Sequence, residues 1–165
     1  MIFKFLSKNF YISFSIVTLI YFLDRLTKTY VIQLDKNNLG SDIFNSAYLN
    51  IVLIWNKGIA FGLFSFDESH LYNILSLIIS IIVVILVIMS LKSHGFKRYS
   101  LLMIVGGALG NLHDRIFFNA VPDFIDFHVR NFHWFIFNVS DIFITLGVIS
   151  MIVLELVDNK TGKAK

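Results

Sequence analysis

Leu71-Tyr-Asn-Ile-Leu-Ser-Leu-Ile-Ile-Ser-Ile-Ile-Val-Val-Ile-Leu-Val-Ile-Met-Ser-Leu91 carries no charged side chain from end to end. About 20 apolar residues rising ~1.5 Å each cover the ~30 Å hydrocarbon core of a bilayer. This stretch therefore predicts a membrane-spanning helix, and the rest of the chain is read outward from it. The composition agrees. Of 165 residues, 56% are hydrophobic and 15% charged, whereas about a quarter of a soluble domain is charged. The mean hydropathy is +0.74. The absence of cysteine excludes disulfides, thiolate metal sites and a cysteine nucleophile.

Three further apolar runs complete the pattern. Residues 10–32 read as a first spanning helix rather than a cleaved leader: Asp24, Arg25 and Lys28 follow the first apolar run where a small-residue cleavage site would stand, and apolar sequence resumes at Tyr30. Residues 100–118 form a third helix with a Gly106-Gly107-Ala108-Leu109-Gly110 centre, and residues 134–157 a fourth. Between the first two helices, residues 44–67 hold two short β-branched and aromatic runs around Asn56-Lys57-Gly58, the pattern of strands about a turn. The expected architecture is a single mainly α membrane domain over 1–165, four transmembrane helices with a small extracytoplasmic β-rich cradle.

Loop charge sets the expected orientation. Lys4, Lys8, Lys92, Lys97, Arg98, Lys160, Lys163 and Lys165 fall on one side of a four-span topology, and Lys36, Lys57 and Arg130 on the other. Eight basic residues against three place both termini in the cytoplasm. The segments 33–70 and 119–133 then lie outside.

In this topology Asp24, Arg25, Lys28, Asn111, Asp114, Arg115, Asp123, Asn138 and Asp141 all fall toward the outer ends of helices 1, 3 and 4. An ionisable residue in a membrane helix costs ~2.5–3.5 kcal/mol on insertion scales and usually faces the bundle interior. Singly, each reads as an interfacial anchor or salt bridge; their gathering into one layer argues for a site. Asp24 with Lys28, and Asn111 with Arg115, are four apart and share helix faces. Asp114 and Arg115 cannot point the same way, so one pairs within the bundle. The glycines of helix 3 form a small-residue face for close packing. Asp123 follows Pro122 just beyond helix 3, and Asp141 is expected about two turns into helix 4. Two carboxylates brought close share a proton, which suits general acid–base activation of water. His70, His94, His113, His128 and His133 lack metal-ligand spacing such as HExxH, so no metal is expected; His128 and His133 are five apart in an apparent loop. From residues alone two other readings stay open: a small proton-coupled transporter using the acids as a relay, and a non-catalytic membrane interaction protein.

Five ordered blocks add a resemblance. Asp24-Arg-Leu-Thr-Lys28 resembles D-x-x-T-K, and Asn56-Lys-Gly-Ile-Ala-Phe61 resembles N-x-G-x-A-F/W. Gly106-Gly-Ala-Leu-Gly-Asn-Leu-His-Asp-Arg115 is similar to G-G-A-x-G-N-x-x-D-R. Val121-Pro-Asp-Phe-Ile125 resembles V-V-D-F-I, and Phe137-Asn-Val-Ser-Asp141 resembles F-N-x-A-D. These are the blocks of bacterial prolipoprotein signal peptidase, signal peptidase II. The resemblance implies an aspartic endopeptidase of the cytoplasmic (inner) membrane, needing no cofactor, which cuts diacylglyceryl-modified prolipoproteins before the lipidated cysteine. It implies Asp123 and Asp141 as the catalytic dyad. Asp24, Lys28, Asn56, Gly58, Asn111, Asp114, Arg115 and Asn138 match supporting or substrate-binding positions. It further implies membrane lipids and globomycin-type inhibitors as partners, no nucleic acid, a monomeric state, and a site toward the extracytoplasmic face. Pro122 stands where the family has Val and Ser140 where it has Ala. A proline there stiffens the approach to Asp123, and a hydroxyl beside Asp141 is a candidate for tuning it.

Overall fold

The computed structural model describes residues 8–37, 43–58 and 69–160. Four helices form the body: α1 (Lys8–Asn37), α2 (Ser69–Lys92), α3 (Gly95–Phe118) and α4 (Val139–Lys160). All four are long and apolar enough to cross a membrane. Their outward surfaces carry Leu77, Ile81, Val84 and Ile85 on α2 and Ile149, Ile152 and Val153 on α4, all exposed. So continuous an apolar exterior is stable only against lipid. The fold is thus a mainly helical, multi-pass membrane protein with a small sheet.

α3 is the centre, packed against α1, α2 and α4. Its small residues set the spacing. A Cβ added at Gly107 would lie 2.5 Å from the Ser140 carbonyl oxygen, and one at Gly110 would run into Ser140 Oγ and Asp24. Only glycine lets the α4 N-terminus and α1 approach α3 this closely.

The sheet has three antiparallel strands in the order β1-β2-β3: β1 (Leu49–Asn56), β2 (Val121–Val129) and β3 (Phe132–Phe137). β1 follows α1, and β2 follows the left-handed Asn119 (φ 54°) that stops α3, so the sheet sits where α1 and α3 end and α4 begins. Each strand pair contains a register shift. The opposite end is tied by Arg98, whose Nη2 donates to the Asn9 carbonyl (3.0 Å) and Ser13 Oγ (2.6 Å).

The structure alters the expected element bounds in four ways. α1 runs on to Asn37 rather than ending near Ile32. α3 begins at Gly95 rather than near Ser100. The first strand of the cradle is present as β1, but its partner is β2, from the segment between helices 3 and 4; the second run expected within 44–67 lies outside the described residues. The largest difference is at helix 4, expected from Trp134 and observed from Val139. Phe132-His-Trp-Phe-Ile-Phe137 is apolar enough to extend a helix, yet its aromatic and β-branched side chains suit a strand. A two-residue turn at Arg130 (φ 55°) and Asn131 folds it back on β2.

Candidate active site

Asp141 owes its place to the start of α4. Asn138 is the residue before the helix, and its Oδ1 accepts a hydrogen bond from the Asp141 backbone N–H at 3.1 Å. In return, Asp141 Oδ2 accepts from the Asn138 N–H at 3.1 Å. This is a reciprocal capping box, in which the acid at the third helical position closes the cap. Asp141 is therefore in the first turn of α4, not two turns in. Its second oxygen accepts from Asn111 Nδ2 of α3 at 2.8 Å.

Asp123 comes from the third position of β2, opposite Ile54. Its Oδ1 accepts from Asn138 Nδ2 at 2.6 Å and its Oδ2 from Asn56 Nδ2 at 2.9 Å. The amide of Asn56 is oriented by the Gly58 N–H, which donates to its Oδ1 at 2.8 Å. Asn138 thus touches both acids, one through its amide nitrogen and the other through its amide oxygen and backbone. Asp123 is 4% exposed. Burial, and next the nearby Asp141 charge, push its carboxyl from 3.8 up to about 6, against the opposing pull of the Asn56 and Asn138 amides and of Lys28.

Both acids open into one cavity of about 460 Å³. Asn56, Asn111 and Arg115 line its polar end, and Ile79 of α2 with Val148 and Ile149 of α4 its apolar side. A second, smaller recess reaches Asp141 from the β3 side, between Trp134, Phe137 and Leu146. Arg115 does not pair with either acid. Its Nη2 donates to the Gly58 carbonyl at 3.0 Å and its Nη1 to the Asn111 carbonyl at 3.2 Å, which ties the end of β1 to α3.

Behind the cavity lies an ionic cluster in which Asp24, Lys28 and Asp114 are buried and Arg25 is partly exposed. Lys28 Nζ lies 3.0 Å from Asp24 Oδ2 and 2.7 Å from Asp114 Oδ2. Arg25 Nη1 lies 2.6 Å from Asp114 Oδ1, and its Nη2 2.8 Å from Asp24 Oδ2. Asp24 Oδ1 also accepts the Ser140 backbone N–H at 3.0 Å, and Lys28 donates to Asn111 Oδ1 at 2.8 Å. Asn111 thereby links the cluster to Asp141.

The structure brings the ten residues singled out in the sequence into this one region. The i, i+4 pairing of Asp24 with Lys28 forms, and of the adjacent Asp114 and Arg115 the first turns inward while the second lines the cavity. Arg25 stands in the polar layer read from the sequence but has no partner assigned there: it is off the Asp24–Lys28 face, and its pairing with Asp114 is between helices. The Ser140 hydroxyl, a candidate for tuning Asp141, makes no hydrogen bond to it. It packs at Gly110 and has no hydrogen-bond partner among the described residues.

The sequence model of signal peptidase (SPase) II matches residues 16–157. The chain belongs to the signal peptidase II family. It is 49% identical over 152 residues to the lipoprotein signal peptidase of Pelagibacter ubique (strain HTCC1062), covering 92% of both chains. With the lipoprotein signal peptidase of Anaplasma phagocytophilum (strain HZ) it shares 43% identity over 136 residues, 81% of this chain and 85% of that one. A solved bacterial membrane enzyme superposes with a TM-score of 0.74 at 29% identity, covering 93% of this chain and 92% of that chain. The protein is accordingly a membrane protease that cleaves signal peptides from prolipoproteins.

Proposed function

We propose that Asp123 and Asp141 are the catalytic dyad of this signal peptidase, and that it cuts immediately before the lipidated cysteine of a diacylglyceryl-modified precursor. One observation carries the reading. Buried Asp123 and partly buried Asp141 face the same cavity, and all four of their oxygens are held by N–H donors of amides, with no Lys or Arg ion pair on either among the described residues. An amide stabilises a carboxylate without pinning it in the ionised state, so the pair keeps one shared proton.

The chemistry then balances. Water between the acids gives a proton to the ionised carboxylate as its oxygen attacks the scissile carbonyl carbon. The protonated carboxyl gives its proton to the carbonyl oxygen, forming a neutral tetrahedral diol. On collapse, one diol hydroxyl returns its proton to the dyad and the C–N bond breaks. The leaving amine takes the proton first accepted from water, and the dyad again holds one proton. Asn138, bonded to both acids, fixes their separation. The apolar wall of Ile79, Val148 and Ile149 suits acyl chains entering sideways from lipid while the peptide meets the acids at the helix ends.

The basic residues favour both termini in the cytoplasm and the dyad toward the extracytoplasmic face. The same cavity is the place for globomycin-type inhibitors, and the protein acts as a monomer. A proton relay would need titratable groups through the depth of the membrane. Residues 9–23, 71–91, 99–110 and 142–154 contain no charged side chain.

Asp123→Asn and Asp141→Asn, assayed separately on a lipidated prolipoprotein, should each lower turnover by about 10²–10⁴-fold, the usual contribution of a positioned acid or base. Near-wild-type cleavage by either folded variant sinks the dyad.

A further inference from the structure

Five residues separate His128 from His133 in sequence, but the β2–β3 hairpin sets them face to face. In the inner part of the hairpin Asp126 pairs with Ile136, and continuing that register would place Trp134 opposite His128. The register shifts instead, with one extra residue in β3, and His133 becomes the cross-strand partner of His128. Bulges of this kind re-aim a side chain. The two imidazole rings lie 4.9 Å apart at 17°. Asp126, two residues before His128, projects to the same side of the strand. Its carboxylate oxygens lie 2.9 and 3.0 Å from His133 Nδ1.

We propose that Asp126, His128 and His133 form a transition-metal site of the Zn²⁺ class, separate from the dyad. One ligand atom from each of the three lies within 4.8 Å of the other two. Tetrahedral Zn²⁺ with bonds of ~2.0–2.2 Å holds its ligand atoms roughly 3.4 Å apart, so small side-chain rotations close the set on an ion. Two nitrogens and one carboxylate oxygen are a donor set zinc accepts, with a water or exogenous ligand as fourth.

Two further observations favour a bound cation over a simple Asp–His pair. His128 Nδ1 is buried and has no hydrogen-bond partner among the described residues, although a buried polar atom normally has one. A ring nitrogen left without a partner is available as a ligand atom. Asp126, 4% exposed, also receives the Asn50 side-chain amide at 3.3 Å, the outer-shell support that orients a ligating carboxylate. His133, half exposed, leaves the set open to solvent on one side, which gives an ion its entry. Bound metal would cross-link β3 to β2 within three residues of Asp123 and stiffen the strand that carries it.

The test uses the full chain without a polyhistidine tag, in detergent micelles, stripped with chelator and dialysed. Zn²⁺ is titrated by calorimetry, and Co²⁺ is added to a second sample for its visible d–d spectrum. One ion per chain and intense tetrahedral Co²⁺ bands are expected. His133→Ala, on the exposed side and so tolerant of change, should lose affinity by roughly 10–100-fold or more, and Asp126→Asn and His128→Gln likewise. Zn²⁺ should raise the thermal midpoint of the wild type and not of His133→Ala. Failure to bind saturably at one per chain, or full affinity in folded His133→Ala, overturns the site. Cleavage activity is not the readout, so this result stands apart from the fate of the dyad.

Discussion

Two pairs of carboxylates lie side by side in this protein, and they are treated differently. Asp24 and Asp114, both fully buried, are each contacted by Arg25 and Lys28. Two negative charges meet two positive ones, and each carboxylate is paired with both cations. Asp123 and Asp141 receive only amide donors, from Asn56, Asn111, Asn138 and a backbone N–H. Arg115, which lines the same cavity, is engaged by carbonyl oxygens instead. A cation fixes a carboxylate in the charged state, whereas an amide leaves its proton free to move. The first pair holds α1, α3 and α4 together, and the second is left titratable. Asn111, bonded to Lys28 on one side and Asp141 on the other, is the junction between them.

This contrast can be broken from either side. The largest effect is expected from the ion-paired acids: Asp114→Asn leaves Arg25 and Lys28 with one carboxylate between them. Removing one partner from a buried ionic cluster costs about 3–5 kcal/mol. Thermal unfolding in detergent should show it, with activity falling only as the folded fraction falls. Catalytic loss in an Asp114→Asn enzyme of unchanged stability would erase the distinction between the pairs.

The titratable pair should instead reveal itself through pH. The Asp123 carboxyl is raised to about 6, so the native state binds more protons than the unfolded chain between about pH 4 and 6. Stability conferred by this group is therefore complete at low pH and lost as pH rises through that window. In parallel, kcat/KM should fall as pH rises past about 6, because the free enzyme gives up the shared proton. A kcat/KM profile flat from pH 5 to 8 would contradict it.

The smallest effect is expected at Ser140→Ala. The Asp24 contact comes from the Ser140 backbone N–H, which the substitution keeps. The hydroxyl it removes has no partner among the described residues. Stability should change by less than about 1 kcal/mol, with a slight gain more in keeping with the loss of an unsatisfied buried group, and the pH profile should not move. A shifted profile would return Ser140 to the role of tuning Asp141.

How far these features were legible in the sequence depended on whether their cause was local. The four helices follow from uninterrupted apolar runs, and Asp24–Lys28 from four-residue spacing. β3 was lost because Phe132–Phe137 is as apolar as the helix it precedes, and strand pairing depends on β2 across a turn. The cue that corrects it was present: Asn138 and Asp141 stand three apart before an apolar run, the spacing of a capping box. The inter-helix bonds of Arg25 had no local signature, and the amides around the dyad were suggested by the family blocks more than by chemistry. His128 and His133 were discounted on linear spacing, which a bulged hairpin overrides.

The capping box has one more consequence. The same two hydrogen bonds that begin α4 also aim Asp141, and the remaining donor of Asn138 holds Asp123. Fold integrity and the geometry of the proposed dyad are written in the same few atoms. A substitution at position 138 would therefore carry a double handicap, weakening the helix start and misaligning both acids. Ile79, Val148 and Ile149 sit on the apolar wall, where side chains change shape without touching a cap. That wall is the part of the cavity on which selection has room to act.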